Sequence, residues 1–386
     1  MRYGNFRMRT FIIFLGQIIA HSCKLEVELV LLKCASMTWT VILCATLLVG
    51  LAGAGSTAAV NDTTGRSELS VALLDFGPVG DHGWTYEAHV GASKMAKKLP
   101  YVNLSERENA AGPNAPQILR EYAKSGAKLI FCHSYNFIDA IKEVAPEYPD
   151  VIFMWGGGTE KLAPNAGVYY ERIYEAQYLA GTVAGNMTRT DKIAFVAALP
   201  TSQVIIGINA FARGVASTNP NAKVYVEWIG DWYDPQEERA VALSLINKGC
   251  DIITHWSDSD ATGQTADEMG TYFISFGSDV GRFSPRIYLT GAIWNWEPIM
   301  TDIVESVHNG TWSSHPGQDW WYGLAEGGVK LAPFGKQVPG NVRSFVEKKQ
   351  KEIVLGELAI FPGMSDEELK TMYYLESNVV GELPKP

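Results

Sequence analysis

The chain has 386 residues, of which 47% are hydrophobic and 19% are charged, and its formal net charge at pH 7 is −10. This length exceeds that of a typical single domain, so we expect two lobes. The acidic balance and the absence of a Lys/Arg run argue against a nucleic-acid partner, because phosphate binding needs a basic patch.

The first 61 residues differ in composition from the rest of the chain. No charged residue occurs between Cys34 and Asn61, Lys33 precedes this run, and small residues follow its apolar part at 52–54. We interpret residues 1–61 as an export signal with an Ala-x-Ala-like cleavage site. The run is also long enough to cross a bilayer, so an uncleaved membrane anchor is the alternative. Both interpretations predict an exported protein, periplasmic or at the cell surface, that meets the membrane surface through this segment.

From residue 69 onward, apolar runs alternate with helical stretches. Strands are predicted at Val71–Phe76, Leu129–His133, Val151–Trp155, Ile193–Ala198, Lys223–Ile229, Asp251–His255, Tyr272–Phe276 and Ile287–Ala292. Helices are predicted at Thr85–Leu99, Pro116–Ser125, Ala140–Glu147, Glu175–Met187, Ser202–Thr218, Pro235–Lys248, Thr262–Met269 and Pro298–Asn309. This alternation indicates an α/β fold with parallel, doubly wound sheets that helices cover on both faces.

The same alternation of strands and helices occurs twice, first from Leu69 and again from Asp191. Two similar α/β lobes with a ligand cleft between them are the plan of periplasmic binding proteins, and a single large α/β enzyme domain is the alternative. The expected boundaries are residues 68–190 plus 293–315 for lobe 1, 191–292 plus 316–365 for lobe 2, and 366–386 for a C-terminal tail. Cys132 and Cys250 fall in or beside strands of different lobes, so we interpret them as buried thiols and not as a disulfide.

The segment Asp81-His82-Gly83-Trp84 follows the first predicted strand and a loop broken by glycine and proline at 77–80. An amphipathic helix comes directly after it. Ligands of open α/β sheets bind outside the carboxyl ends of the strands. A carboxylate and an indole at such a position suit a flat small molecule with a polar edge better than they suit a phosphate.

Five motifs in this order resemble the BMP (basic membrane protein) family, which are PnrA-like solute-binding proteins of ABC transporters. The motifs are Gly80-Asp81-His82-Gly83-Trp84, Tyr178-Leu179-Ala180-Gly181, Asn209-Ala210-Phe211-Ala212-Arg213-Gly214, Trp232-Tyr233-Asp234-Pro235 and Ser278-Asp279. The resemblance runs from about Leu69 to Gly363. It implies a type I periplasmic-binding-protein fold with two lobes joined by three hinge segments. It also implies that the ligand is a purine nucleoside or nucleobase and that the partner is an ABC transporter permease.

The resemblance also assigns ligand contacts to particular residues. The family's acidic residue and aromatic residue after the first strand correspond to Asp81 and Trp84. Its second aromatic residue, from lobe 2, corresponds to Trp232 or Tyr233, and its later acidic residue corresponds to Asp279.

One departure from the family affects the expected ligand. Family members that bind nucleosides often have a lysine where this chain has Trp294-Asn295-Trp296. The departure argues against ribose recognition and favours a free base such as adenine.

A purine is flat, apolar on both faces and polar around its edge. Two aromatic rings, one from each lobe, can clamp the faces, and carboxylates or amides can read the edge. The candidate clamps are Trp84, Trp232, Trp256 and Trp294, the candidate edge readers are Asp81, Asp258, Asp279 and Asn295, and Ser134 and Tyr135 lie at another strand end.

Structural roles are open for several of these residues. Asp81 could cap the helix that follows it. Trp84 stands at helical spacing from Ala88 and Gly91 and could belong to the core of lobe 1. Asp258 could be a loop and capping residue. Asp234, followed by a proline, is best explained as the start of a helix.

The sequence gives no sign of catalysis. It contains no Gly-x-Ser-x-Gly elbow, no His-Glu-x-x-His and no Walker loop. We therefore predict a non-catalytic binding protein with no catalytic residues, no cofactor and no metal. Two alternatives from other classes stay open, a membrane-tethered ligand-sensing receptor and a nucleoside hydrolase.

Overall fold

The computed structural model describes residues 68–158, 160–281, 283–314 and 320–385. The export signal or anchor expected at 1–61 lies outside these residues. Among the helices of the described part, none combines the length and the apolar character needed to cross a membrane.

Thirteen strands and ten α-helices alternate along the described chain. The strands are β1 (Leu69–Asp75), β2 (Val102–Arg107), β3 (Leu129–His133), β4 (Ile152–Gly156), β5 (Ala166–Glu171), β6 (Lys192–Ala197), β7 (Lys223–Trp228), β8 (Ile252–Trp256), β9 (Tyr272–Gly277), β10 (Tyr288–Trp294), β11 (Trp320–Tyr322), β12 (Val329–Leu331) and β13 (Val379–Val380). The helices are α1 (Trp84–Lys98), α2 (Ala115–Lys124), α3 (Ile138–Val144), α4 (Ile173–Met187), α5 (Ser202–Ala216), α6 (Pro235–Asn247), α7 (Ala261–Met269), α8 (Glu297–His308), α9 (Gly340–Val354) and α10 (Asp366–Lys370).

The strands form two sheets, one in each lobe. The first sheet has the order β11-β5-β4-β3-β1-β2, and all its neighbours are parallel. The second has the order β12-β10-β9-β8-β6-β7-β13, and only the pair of β10 and β12 is antiparallel. Central strands such as β3 and β8 are buried along their whole length, as doubly wound sheets require. The predicted α/β architecture with two doubly wound lobes is confirmed.

The chain crosses between the two sheets three times. The first crossing follows β5, the second follows β10, and the third joins β11 to β12. Hydrogen bonds tie these crossings together. The backbone N–H of Asn295 donates to the Gly328 carbonyl oxygen at 2.8 Å, and the Arg172 N–H donates to the Tyr322 carbonyl oxygen at 2.6 Å. The three-segment hinge is therefore a connected structure.

Three segments lie in a different lobe from the one that the sequence suggested. Helix α4, expected in lobe 1, packs against α5, β10 and β12 of the second sheet. Strand β11, expected in lobe 2, pairs with β5 of the first sheet. Strand β13, expected in a tail, extends the second sheet by pairing with β7. In each case a long-range contact decides the placement, and the local sequence does not encode it.

The contact between α4 and α5 depends on two glycines. A Cβ atom on Gly181 would lie 2.0 Å from the Phe211 carbonyl oxygen, and one on Gly214 would lie 2.0 Å from the Tyr178 carbonyl oxygen. Only residues without a side chain allow the two backbones to approach so closely. Two of the motifs that suggested the family therefore lock these helices together.

Cys132 and Cys250, the cysteines within the described residues, are buried and free, as expected. Burial raises the pKa of the Cys250 thiol to about 11, and it also raises the pKa of the Cys132 thiol. Both thiols are therefore protonated at neutral pH and pack as small apolar groups.

Candidate functional site

A cleft of about 550 Å³, open to solvent, lies where the strands of both sheets end. Lobe 1 contributes Phe76, Trp84, Ser134, Tyr135, Gly157 and Tyr170 to its lining, and lobe 2 contributes Gln203, Trp232, Trp256, Asp258 and Phe276. Several of these residues stand at or directly after the carboxyl end of a strand, as Ser134 does after β3 and Trp256 at the end of β8. This is the place where α/β sheets bind ligands.

The chemistry of the lining is strongly aromatic. Seven of the eleven lining residues carry aromatic rings, and apart from the tyrosines the polar side chains are Ser134, Gln203 and Asp258. No lysine, arginine or histidine occurs among the described residues of this lining. Such a surface suits a flat, uncharged molecule that needs few hydrogen bonds, and it does not suit a phosphate or a carboxylate ligand.

Contacts with its neighbours hold Trp84 in place. Its Nε1 donates a hydrogen bond to the His133 carbonyl oxygen at 2.8 Å, and its ring stacks on the His133 ring with centroids 4.4 Å apart. Trp294 and Trp296 contact it edge-on at 5.4 and 5.1 Å. Burial lowers the pKa of His133 to about 3, so its imidazole stacks as a neutral ring.

The aromatic wall of lobe 2 is built from Trp256 and Trp232. Trp256 is buried and stacks on Phe276 with centroids 4.3 Å apart. A Cβ atom on Gly207 of α5 would lie only 2.0 Å from the Trp256 ring, so this position requires glycine. Trp232 is half-buried, and its carbonyl oxygen accepts a hydrogen bond from the Asp258 N–H at 2.9 Å. The loops that carry Trp232 and Asp258 are thereby joined.

Asp81 caps the first helix of lobe 1. Its two carboxylate oxygens accept hydrogen bonds at 2.9 to 3.0 Å from the N–H groups of Gly83, Thr85 and Tyr86. These N–H groups lack partners within the helix, and a carboxylate at this end also interacts favourably with the helix dipole. The structure therefore gives Asp81 the capping role, and it lines a neighbouring cavity and not the aromatic cleft.

The surroundings of the Asp258 carboxyl differ from those of the Asp81 carboxyl. It is half-buried, and no group in the described part of the chain donates a hydrogen bond to its carboxyl. Burial, and then the nearby charges of Asp81 and Glu238, raise the pKa of Asp258 to about 8. Its carboxyl is therefore mostly protonated at neutral pH, and its hydrogen-bonding capacity is available to a ligand.

The two lobes touch across the cleft. The Gln203 side chain of α5 donates to the Gly157 carbonyl oxygen at 3.0 Å, and the Ser278 hydroxyl donates to the His82 carbonyl oxygen. Gln203 was not among the residues expected from the sequence, although it stands in the first turn of a helix that follows β6. Tyr170 was also missed, because β5 was not among the predicted strands.

Three expected ligand contacts lie elsewhere. Asp279 accepts hydrogen bonds from the Gly281 N–H and the Tyr288 hydroxyl at 3.1 and 3.2 Å, and it lines a separate cavity. Trp294 is buried and stacks on Trp296 beneath the cleft. The Asn295 side chain donates to the Gly327 carbonyl oxygen in the hinge at 2.6 Å. Their positions after strand ends resembled those of the cleft residues, but their side chains hold the hinge and its neighbouring loops together.

Of the ten residues named from the sequence as clamps, edge readers or strand-end residues, six line the aromatic cleft together. These are Trp84, Ser134, Tyr135, Trp232, Trp256 and Asp258. Of the two aromatic alternatives in lobe 2, Trp232 lines the cleft, whereas the Tyr233 side chain is exposed outside it.

Comparison with known proteins identifies the class. A sequence model of the family described as "ABC transporter substrate-binding protein PnrA-like" matches residues 68–361. A purine-binding protein of Brucella abortus is 36% identical over 300 residues, which cover 77% of this chain and 84% of that protein. A protein of Haloferax volcanii named as an ABC transporter glucose-binding protein is 31% identical over 332 residues, which cover 84% of each chain.

Solved structures agree with these sequence relatives. An ABC transporter solute-binding protein from Conexibacter woesei matches with a TM-score of 0.63 at 25% identity, over 75% of this chain and 98% of that chain. This likeness, with the two sheets and three crossings, confirms the expected type I periplasmic-binding-protein fold. Substrate-binding proteins of ABC transporters act outside the cytoplasm and are not enzymes. The chain belongs to the PnrA-like family of ABC transporter substrate-binding proteins.

Proposed function

We propose that this protein captures a purine-type nucleobase, with adenine favoured, in the aromatic cleft and delivers it to a membrane permease. The observation that carries the proposal is the lining itself, in which seven aromatic residues from both lobes surround only three other polar side chains. Stacking on one aromatic ring contributes about 1–3 kcal/mol per base. The purine-binding relative from Brucella abortus supports the same ligand class.

The Haloferax volcanii relative makes a hexose the second candidate. Sugars also stack on aromatic rings, but a hexose brings a hydroxyl group on nearly every carbon atom. A buried hydroxyl without a partner costs about 1–3 kcal/mol. Besides the tyrosines, the described lining has polar side chains only at Ser134, Gln203 and Asp258, and Gln203 already donates to Gly157, so the lining favours a base.

The expected preference for a base over a nucleoside was based on Trp294 and Asn295. Neither residue lines the cleft, so that argument no longer applies. The support now comes from the shortage of polar side chains around the ligand. A second cavity that shares Asp258 and Phe276 with the cleft is more polar and includes Ser257 and Ser259. Tighter binding of adenosine than of adenine would indicate that the ribose enters this second cavity.

Ligand capture follows from hinge closure of the two lobes. The contacts from Gln203 to Gly157 and from Ser278 to His82 join opposite sides of the cleft, so we infer that they form as it closes. The closed protein then presents the base to a permease. We further propose that the protein works in the periplasm or at the cell surface and that residues 1–61 direct its export or tether it.

Calorimetry on protein freed of bound ligand tests the proposal. Adenine, adenosine, guanine and glucose are titrated separately, and mass spectrometry identifies any small molecule that co-purifies. We expect adenine to bind most tightly and glucose not to bind. Binding of glucose without binding of any purine would replace our proposal with sugar transport. Incubation with inosine and product analysis is the control for hydrolysis, and we expect no product.

A further inference from the structure

Asp258 is the acidic residue of the cleft lining and is placed to read the edge of a bound base. Its N–H is fixed by the hydrogen bond to Trp232, whereas its carboxyl accepts no hydrogen bond from the described residues. The aromatic cleft and the second cavity meet at this carboxyl, which both linings include. A ligand in the aromatic cleft can therefore reach it.

Within the described part of the chain, no cation compensates a negative charge at this carboxyl. Among the described residues, the charged groups that act on it are Asp81 at the start of α1 and Glu238 of α6, and both are acidic. The Asp260 carboxyl lines the second cavity together with His82 and His255. His255 is buried, which lowers its pKa and keeps it uncharged.

The start of α1 does not compensate the charge either. A Cβ atom on Gly83 would lie 3.8 Å from Oδ1 of Asp258, so this carboxyl lies beside the N-terminus of the helix. The Asp81 carboxylate already accepts the N–H groups there. Glu238 in turn accepts hydrogen bonds from Ser259 and Thr262. A third negative charge between them is unfavourable.

We propose that Asp258 determines ligand specificity by meeting the base as a neutral carboxylic acid, which donates one hydrogen bond and accepts another. The inference rests on the proposed purine ligand. A neutral acid matches an edge with an acceptor beside a donor, such as N1 and the N6 amine of adenine. A carboxylate would instead match two adjacent donors, as at N1 and N2 of guanine.

The proposal predicts how adenine binding depends on pH. If adenine binds only the protonated acid, affinity falls as pH rises through the pKa of about 8 in the free protein. Adenine should therefore bind roughly tenfold more weakly at about pH 9 than at about pH 7. In Asp258→Asn the amide always offers one donor and one acceptor, so its affinity should not change over this range. At about pH 9 this variant should bind roughly tenfold more tightly than the unmodified protein.

Asp260→Asn is the matched control, because Asp260 lies in the same loop but does not line the aromatic cleft. It should keep the pH profile of the unmodified protein. A flat profile in the unmodified protein, together with a loss of about a hundredfold in Asp258→Asn, would show that the ionised carboxylate binds the base and would overturn the proposal.

A measurement on the unmodified protein covers the case in which Asp258→Asn does not fold. Calorimetry of adenine binding near pH 9, in two buffers with different ionisation enthalpies, reports proton uptake. We expect uptake of nearly one proton per adenine bound, and no uptake or a release would overturn the proposal. If no purine binds at any pH, the proposed function itself fails, which is a different result from adenine binding without proton uptake.

Discussion

The indole of Trp84 stacks on the imidazole of His133, with ring centroids 4.4 Å apart and the ring planes inclined by 24°, and donates its N–H to the carbonyl oxygen of the same residue. Two contacts with one residue thus fix both the position and the tilt of the tryptophan. Since the other face of this ring is not covered by His133, we infer that it is one of the two surfaces between which the base stacks.

Substitution of Trp84 by alanine tests this inference. We expect adenine binding to weaken by about 1–3 kcal/mol, the range for loss of one stacking face. Isothermal calorimetry measures the change, and circular dichroism checks the fold. Trp228→Ala is the control, because Trp228 lies in β7 outside the cleft and hydrogen-bonds to Glu382. A Trp84 variant that melts much earlier but binds adenine normally when folded would show that the residue belongs to the core.

Gly207→Ala should disturb the site without changing any residue of its lining. The new methyl group would lie 2.0 Å from the Trp256 ring, which must move away from Phe276. We expect a loss of about 1–3 kcal/mol in the free energy of unfolding, measured by denaturant titration, together with weaker adenine binding. Gly340→Ala is the control, since a Cβ atom there meets no neighbour. Unchanged stability in Gly207→Ala would mean that Trp256 can move freely.

Asp75 should make the protein less stable as pH rises. It is fully buried at the end of β1, and burial, followed by the charge of Glu106, raises its pKa from 3.8 to about 9. Above about pH 4 the unfolded chain releases this proton while the folded chain keeps it, so stability falls as pH rises towards 9. Asp75→Asn removes this cost, and its melting temperature should exceed that of the unmodified protein by a margin that widens between about pH 5 and about pH 8.

The exposed residue Asp139 provides the control for this effect. Asp139→Asn should change the melting temperature little and by the same amount at every pH. If Asp75→Asn lowers the melting temperature at the upper end of the pH range, the Asp75 carboxyl is ionised in the folded protein and our account of it is wrong.

Ligand binding should close the cleft. Small-angle scattering of ligand-free protein should show a smaller radius of gyration after addition of adenine, because the lobes approach each other about the hinge. In Gln203→Ala, which loses the hydrogen bond to Gly157, we expect weaker adenine binding and less compaction at equal adenine concentration. Glucose is the control ligand and should leave the scattering unchanged. An unchanged profile with bound adenine would contradict closure.

Much of the fold could be predicted from the sequence, because the central strands are apolar runs and the helices carry clear end signals. All eight predicted strands and all eight predicted helices exist, with ends that differ by at most three residues. Strand β2 was missed because it lies at the edge of its sheet and alternates half-buried and exposed residues. Strands β11 and β13 have only three and two residues, so their pairing partners and not their own composition define them.

The site was predictable only in part, for a related reason. Trp84 and Asp258 follow strands whose carboxyl ends face the cleft, so a motif at a strand end led to them. Asn295 also follows a strand, but β10 leads into the hinge, where its amide hydrogen-bonds to Gly327. Which strand ends face the ligand depends on how the lobes are joined, and that arrangement depends on contacts between distant parts of the chain.

The glycine contacts between α4 and α5 bear on the order in which a ligand is recognised. Because they fasten α4 to lobe 2, we infer that the lobes pivot near Arg172, before this helix, where the crossings are tied together. Trp84 contacts Trp294, the last residue of the hinge strand β10, so it lies close to the pivot and is displaced little. In the open protein Trp84 would thus already be in position to stack on an incoming base. Asp258 would contact the edge of the base only later, as lobe 2 closes over it.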